Sequence, residues 1–352
     1  MGDGKSIHIE RWVLSLYQDY EIGLFSLRGF SDRLTDLDEV KRYSNNGKAG
    51  STIVNKLSYL KTLPTLKKAL EDFKPSIIHA HYASSYGLLG RLVKKDTPLI
   101  ISCWGSDLFE FPLKSFANRI LLKKNLQKAD LIQVSSLSLK EELGKYSKKQ
   151  PELIYFGVDT DLFKIKSEKR KDVFVLGQAK ALSSIYGIDR TIKVLSGLKK
   201  EGIKVKLKLA GEGEQKEDLL RLAKELGVEN EIDWLGHINH SLLDEFYEEV
   251  DLGIYLSRAE SFGVSAIECM SKGIPVVVSS APGLSEVVDH NQTGLVFDIN
   301  DDDITRIVKA VKNFVNDEAL TNKLGVLARN KVENSYVWEN SVECQKRIYN
   351  NV

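Results

Sequence analysis

The sequence predicts an α/β protein of two doubly wound, parallel-sheet domains that face each other across a cleft, the first of them expected to lack its first strand. Three observations carry this. Short apolar runs of strand length alternate with longer stretches of helical period along the whole chain. One charged stretch poor in apolar residues, 164–171, interrupts the alternation and reads as a linker. The length of 352 residues, with 42% hydrophobic and 28% charged residues, suits two domains of ordinary size.

The first domain is placed at 1–163. It opens on Gly2-Asp3-Gly4-Lys5-Ser6, which reads as the loop after a first strand. Residues 7–19 are already helical in period, with Ile9, Val13, Leu16 and Tyr20 on one face. A doubly wound domain opens with a strand that becomes central in its sheet. The expectation is therefore that about six residues of first strand are missing from this chain, or else that the terminus diverged and never had one. Further strands are expected at 22–27, 77–80, 99–103, 131–134 and 153–155.

The second domain is placed at 164–335. Strands are expected at 173–176, 205–210, 232–235, 252–256, 275–279 and 294–297, and helices at 186–200, 214–226, 240–249, 262–272 and 303–333. Regular alternation of this kind means a parallel sheet with helices on both faces.

Bulk properties exclude several classes. No apolar run reaches the roughly 18 residues that cross a bilayer. The polar start, followed by Glu10 and Arg11, does not read as a signal peptide, so a cytoplasmic location is expected. Cys103, Cys269 and Cys344 are far apart and without metal-ligand spacing, which suits reduced, packed thiols. The net charge of +1 conceals an asymmetry: residues 1–165 carry 25 basic against 19 acidic side chains, and residues 166–352 carry 25 against 30. Within 113–128, Lys114, Arg119, Lys123, Lys124 and Lys128 meet no acid, while Phe116, Ile120, Leu121 and Leu122 supply an apolar side. Such a helix can lie peripherally on the anionic inner face of a membrane or steer an acidic acceptor, and it also reads as a solvated flank packed on a sheet. Nucleic acid is not an expected partner, because no basic stretch is interleaved with stacking aromatics.

The most informative segment is Arg258-Ala-Glu-Ser-Phe-Gly-Val-Ser-Ala-Ile-Glu-Cys-Met270. Its position after a strand predicts a helix opening near Ser261, with Glu260 at the mouth and Glu268 two turns in. The main-chain N–H groups of Phe262, Gly263 and Val264 would then point outward. Such a terminus binds anions, and glycine in the first turn lets a phosphate approach the backbone. One carboxylate could take sugar hydroxyls and the other ribose hydroxyls, and together they would hold a nucleotide diphosphate sugar. The plain alternative is a helix with an acidic first turn and one solvated Glu.

Other residues read more blandly. Asp159-Thr-Asp161 has the spacing of a metal-binding pair but lies in the turn before the linker, and Asp301-Asp-Asp303 suits a helix cap. His79 is expected as a packed histidine, and His237 and His240 as candidates for the base.

The segment resembles the Glu-x7-Glu signature of family 4 retaining glycosyltransferases, down to Glu260-Ser-Phe-Gly, Glu268 and the following Gly273-Ile-Pro-Val-Val277. The likeness runs the whole length, in the family's order. Ser6-Ile-His-Ile-Glu-Arg-Trp12 is similar to the first helix after a glycine loop, and His79-Ala-His-Tyr82 and Trp104-Gly-Ser-Asp107 to strand ends facing the cleft. Leu209-Ala-Gly-Glu-Gly213 and Trp234-Leu-Gly-His237 resemble the base-binding side, and 336–352 a closing helix that crosses back onto the first domain.

The resemblance implies the GT-B architecture of two Rossmann-like domains. It implies retaining transfer of a hexose from a UDP- or GDP-linked donor to a cell-envelope glycan or lipid-linked saccharide, with no metal or other cofactor. It implies that Glu260, His81 and Lys180 are catalytic, Glu260 and His81 contacting the donor sugar and Lys180 the phosphates. Glu268, Ser261, Phe262, Gly263, Val264, Gly211, Glu212, Gly213 and His237 would bind the donor, and Gly4 and Asp107 would lie on the acceptor side or in a cleft loop, Asp107 for acceptor or structural hydrogen bonding. The chain departs from the pattern at Gly177-Gln-Ala-Lys180: Lys180 is one place from the family's Arg, and Tyr186 replaces its Lys. The leaving group is thus expected to meet one cation rather than two. Two other classes stay open: an isomerase like the nucleotide-sugar 2-epimerases, and a nucleotide-sugar-binding protein without turnover.

Overall fold

The computed structural model describes residues 1–44, 57–166, 173–298, 300 and 304–352. The chain divides into two compact units, Met1–Tyr155 with Ser341–Val352, and Phe156–Asn340. Residues 156–163, expected in the first domain, thus sit with the second: Val158 bridges Val337, and Arg329 donates to the Phe163 carbonyl at 2.5 Å. Most of the expected linker, from 167 on, lies outside the described residues.

In the first unit the strands are β1 (Ile22–Ser26), β2 (Val40–Ser44), β3 (Ile78–His81), β4 (Leu99–Cys103), β5 (Leu131–Val134) and β6 (Glu152–Leu153). All pairs are parallel, but the sheet comes in two pieces, β1-β2 and β3-β4-β5-β6. The sequence reading has no strand at β2, where only Val40 is fully buried and no apolar run announces it. Among the described residues no strand precedes the helix Ile7–Leu16. Instead Met1 and Gly2 lie between the pieces: Gly2 N–H donates to the Phe25 carbonyl at 3.1 Å, the Met1 amino group to the His79 carbonyl at 2.6 Å, and His81 N–H to the Met1 carbonyl at 2.9 Å. Residues from Ser341 of the last helix, Trp338–Asn351, belong to this unit. There Tyr349 meets the edge of Tyr20 at 5.4 Å between ring centroids.

The helix Phe116–Lys128 does not form the single apolar side expected of it. Leu122 and Leu126 point into the core, whereas Leu113, Phe116 and Ile120 are exposed.

The second unit carries β7 (Phe174–Ala179), β8 (Val205–Ala210), β9 (Ile232–Gly236), β10 (Leu252–Tyr255), β11 (Val276–Ser279) and β12 (Gly294–Phe297), all parallel, in the order β12-β11-β10-β7-β8-β9. Every residue of β7 is buried, as the centre of a two-sided parallel sheet requires. Leu176, Leu207, Leu252 and Val277 from four neighbouring strands meet Ile192 and Leu195 of the helix Ile188–Lys200 in one apolar cluster. The helix expected at 303–333 is two, Thr305–Asn316 and Glu318–Ser335. Asp317 breaks it: its side chain accepts from Leu320 N–H at 2.8 Å and caps the second helix. Residues 301–303, read as a cap, lie outside the described residues.

Candidate active site

In a doubly wound sheet the crevice lies at the carboxyl ends of the two strands where the order reverses. In the second unit those are β7 and β10. Lys180 directly follows β7, and Glu260 lies on the segment after β10. Their side chains, 11% and 9% exposed, pair with Nζ 2.8 Å from Oε2. Burial opposes the Lys180 ammonium most strongly, but Glu260, Tyr186 and Glu268 together outweigh it and hold the pKa above the usual 10.5. The same ammonium stands 4.9 Å from the Tyr186 ring centre, so the residue that replaces the family's second cation supports the first.

The helix after Glu260 runs Val264–Ser271, three residues later than expected. Gly263 is its N-cap with φ 82°, and a Cβ there would crowd Leu284 and the Gly283 carbonyl. Gly283 N–H in turn donates to the Glu260 carbonyl at 3.0 Å, fixing the turn. Ser261 is half-buried, but the Phe262 side chain is core, packing on Phe156 and Tyr336, so only its main chain can face a ligand. Glu268, a little over one turn into the helix, is buried and meets His240 Nε2 at 3.1 Å. Beneath it Tyr247 donates to the Ser265 carbonyl at 3.0 Å, and burial, then the Glu268 charge, pushes that phenol well above its usual 10. The Phe163 ring stands edge-on to both His240 and Tyr247.

The glycine loop after β8 is stapled to its neighbours. Gly211 N–H donates to the Gly236 carbonyl at 2.7 Å, Lys180 N–H to Ala210 at 2.9 Å and Leu182 N–H to Glu212 at 2.9 Å. A Cβ on Gly211, whose φ is 152°, would run into the Lys180 carbonyl. Glu212, Gly213 and His237 are exposed on the rim. Sequence reasoning missed one clamp: Arg258 holds Asp189 through two bonds of 2.8 and 2.7 Å and donates to the Ser184 carbonyl at 2.7 Å. The partners stand 69 residues apart, so no local spacing joins them. Burial opposes the Asp189 charge, yet Arg258 keeps the carboxyl below its usual range.

The first unit gathers neutral rings. His81 lies 4.0 Å from His79 and 4.8 Å from Trp104 between ring centres. Burial, then His79 and the Met1 amine, pushes its pKa well below 6.5. His79 is packed as expected, between Tyr349 Oη at 2.6 Å and Ser102 Oγ at 2.7 Å. Asp107 is buried and accepts from Ala83, Gly105 and Trp104 N–H at 2.9, 2.9 and 3.1 Å, so it organises the loops beside His81. Gly4 donates to Ser26 Oγ at 3.0 Å. Asp159 spends one oxygen on its own turn, accepting from Asp161 and Leu162.

Residues 159–331 match the family described as glycosyl transferases group 1, and residues 1–136 match glycosyl transferase 4-like. The chain belongs to the group 1 glycosyl transferases. Among relatives of this glycosyltransferase, N-acetyl-alpha-D-glucosaminyl L-malate synthase of Bacillus anthracis is 25% identical over 289 residues, 78% of this chain and 74% of that one. The GT-B fold is shared with sucrose-phosphate synthase from Thermosynechococcus elongatus, at TM-score 0.83 and 20% identity over 98% of this chain and 92% of that one. It is shared too with Anabaena Alr3699/HepE, solved in complex with UDP-glucose, at TM-score 0.79 and 19% identity over 100% and 98%.

Proposed function

We propose that this glycosyltransferase moves a hexose from a UDP- or GDP-linked donor to a cell-envelope glycan or lipid-linked saccharide, with retention at the anomeric carbon and without a metal ion. The observation that carries it is the buried Lys180–Glu260 pair at the reversal point of the second sheet, with Glu268 fixed by His240 on the adjoining helix. An arriving diphosphate competes with Glu260 for the Lys180 ammonium. That releases the Glu260 carboxylate to accept hydrogen bonds from the sugar, while Glu268 takes the ribose hydroxyls. Main-chain N–H groups at Gly263 and Val264 add fixed donors for the charge that develops on the departing diphosphate. In the first unit, His81 is held neutral and is the candidate for a hydrogen bond to the sugar. The exposed Leu113, Phe116 and Ile120 beside Lys114, Lys123 and Lys124 support a peripheral contact with an anionic membrane on its cytoplasmic face, where a lipid-linked acceptor would lie.

The test is thermal unfolding with a panel of UDP and GDP sugars, on the wild type and Glu268→Ala. UDP-glucose goes first because the similarly folded HepE is solved with it. At a concentration about 100-fold over Kd, a true donor stabilises by roughly 3 kcal/mol, and Glu268→Ala abolishes the response. A wild type blind to every nucleotide sugar, or a mutant that responds equally, sinks the reading of this crevice.

A further inference from the structure

The last helix, Trp338–Asn351, meets the first sheet through a polar row as well as through apolar side chains. Ser341, Gln345 and Tyr349 recur at the four-residue spacing that puts side chains on one side of a helix, and Ser341 and Gln345 are buried. On the sheet, Ile78 and Ala80 of β3, Ile101 of β4 and Ile132 of β5 lie in the apolar cluster of one face, so His79, Ser102 and Gln133 fall on the other. The two rows join at Tyr349. Its Oη meets His79 Nδ1 at 2.6 Å, His79 Nε2 meets Ser102 Oγ at 2.7 Å, and Ser102 Oγ donates to Gln133 Oε1 at 2.8 Å.

The direction of this chain follows from its protons. A serine hydroxyl has one, and Ser102 spends it on Gln133, so Ser102 accepts from His79 Nε2–H. In the neutral imidazole Nδ1 is then bare and accepts from the Tyr349 phenol. Burial holds that phenol well above its usual 10, so the proton stays on it at neutral pH. Ser102 and Gln133 are buried, and bulk water does not replace them. Both ring nitrogens of His79 are thus tied, and turning the ring breaks two hydrogen bonds. His81 lies against this ring at 4.0 Å between centres and 33° between planes, and 4.8 Å from Trp104. Its own Nδ1 is buried with no hydrogen-bond partner among the described residues, which leaves the neighbouring rings to set its tilt.

We propose that Tyr349 is a positioning residue for His81, acting through His79. The inference rests on the reading of His81 as the side chain that meets the donor sugar. Tyr349 pins His79, the His79 ring fixes the tilt of His81, and His81 presents its nitrogen to the sugar at one angle, while Tyr349 itself touches no substrate. The helix has other anchors that do not involve His79. Tyr20 donates to the Lys346 carbonyl at 3.3 Å and to Asn350 Oδ1 at 3.1 Å, and Lys346 pairs with Asp19 at 2.9 Å. Removing the Tyr349 hydroxyl therefore leaves the helix docked, and positioning separates from docking.

The experiment compares Tyr349→Phe with Tyr20→Phe, a control that removes hydrogen bonds of the same helix but none of His79. Isotope-labelled histidine nitrogens are followed by NMR at neutral pH, with His79→Gln and His81→Ala assigning the two rings. Tyr349→Phe is expected to move the nitrogen resonances of His79 and of His81, and Tyr20→Phe those of neither. Binding is then measured for UDP-glucose against UDP and for GDP-mannose against GDP. Tyr349→Phe should raise the Kd of the sugar nucleotide about threefold or more relative to that of its bare nucleotide, with no such change in Tyr20→Phe. Unmoved His81 resonances overturn the proposal, and so does an equal loss of sugar nucleotide and nucleotide, which marks a structural role. A ratio changed by His81→Ala but not by Tyr349→Phe overturns it as well. If neither substitution changes the ratio, or the wild type binds neither pair, the donor-site reading of His81 fails instead, and the His81 resonances alone decide the coupling.

Discussion

The second unit has one continuous six-stranded sheet, and the first has its strands in two pieces. In the second, β7 occupies the middle with six buried residues, pairs with β8 along its whole length and delivers Lys180 to the crevice. In the first, the corresponding place between β1 and β3 holds Met1 and Gly2, and the loop they lead into carries Gly4. The polar chemistry differs in parallel. The second unit buries charges in pairs, Lys180 with Glu260 and Lys272 with Asp244 and Glu248. The first keeps His79 and His81 neutral, and its buried Asp107 is satisfied by main-chain N–H groups alone among the bonds described. A complete central strand thus accompanies the charged site, and a sheet in two pieces accompanies the neutral one.

The strongest way to break that contrast is Lys180→Ala. It removes the cation proposed to meet the diphosphate and leaves Glu260 buried without its partner. Turnover should fall roughly 10²–10³-fold, chiefly in kcat, with the far-ultraviolet circular dichroism unchanged. Adding Glu260→Ala should recover stability without recovering activity, since the lone buried carboxylate is then gone. Wild-type turnover in Lys180→Ala would show the pair to be structural only.

Gly187 offers the next largest effect. It precedes the helix Ile188–Lys200 at φ 64°, and a Cβ there would enter the Leu256 carbonyl. Gly187→Ala should destabilise the second unit by about 3 kcal/mol in urea unfolding. Gly202→Ala separates strain from clash, because Gly202 has a similar φ of 74° but open space around it, and should cost about 1 kcal/mol. Equal costs would mean that the approach of Gly187 to Leu256 is not a fixed feature of the crevice.

The same contrast explains what could be read from the sequence. The second unit was legible strand by strand because β7, β10 and β11 are buried throughout, β12 is the apolar run Leu295-Val-Phe297 and β8 alternates apolar with lysine; β8 and β12 fall at the expected residues. In the first unit β2 was invisible, since Val40-Lys-Arg-Tyr-Ser44 has one buried residue and pairs on an edge. Glu260, Lys180 and Glu268 were singled out as residues, but not as partners: neither the Lys180–Glu260 ion pair nor the contact of His240 with Glu268 follows from spacing. The helix start was misplaced because Gly263 was read as a first-turn residue, whereas its left-handed φ makes it the cap. Asp107 was read as a candidate for acceptor or structural hydrogen bonding, and the three main-chain N–H groups that converge on it are partners only the folded loops reveal.

Acid should distinguish the units by a smaller effect than that of Gly187→Ala. His79 faces the Met1 amine, His81, Tyr349 and Ser102, and burial, then the amine's charge, lowers its pKa from 6.5 to about 3. The folded value is the lower one, so between pH 6.5 and about 3 the unfolded chain binds more protons and stability falls as pH drops. The Met1 amine acts with the same sign between 8 and about 5. In the second unit, the raised pKa of Lys180 lies above this window, so its ammonium does not titrate there. From pH 7 to pH 5 the first unit should lose on the order of 2 kcal/mol, read by hydrogen exchange in 78–81 and 99–103. Exchange in 174–179 should change less. A loss shared equally by the two sheets would mean that the neutral rings are not what distinguishes the first. His79→Gln, which keeps a hydrogen-bonding side chain but cannot take up a proton, should then flatten the first unit's response between pH 6.5 and 5.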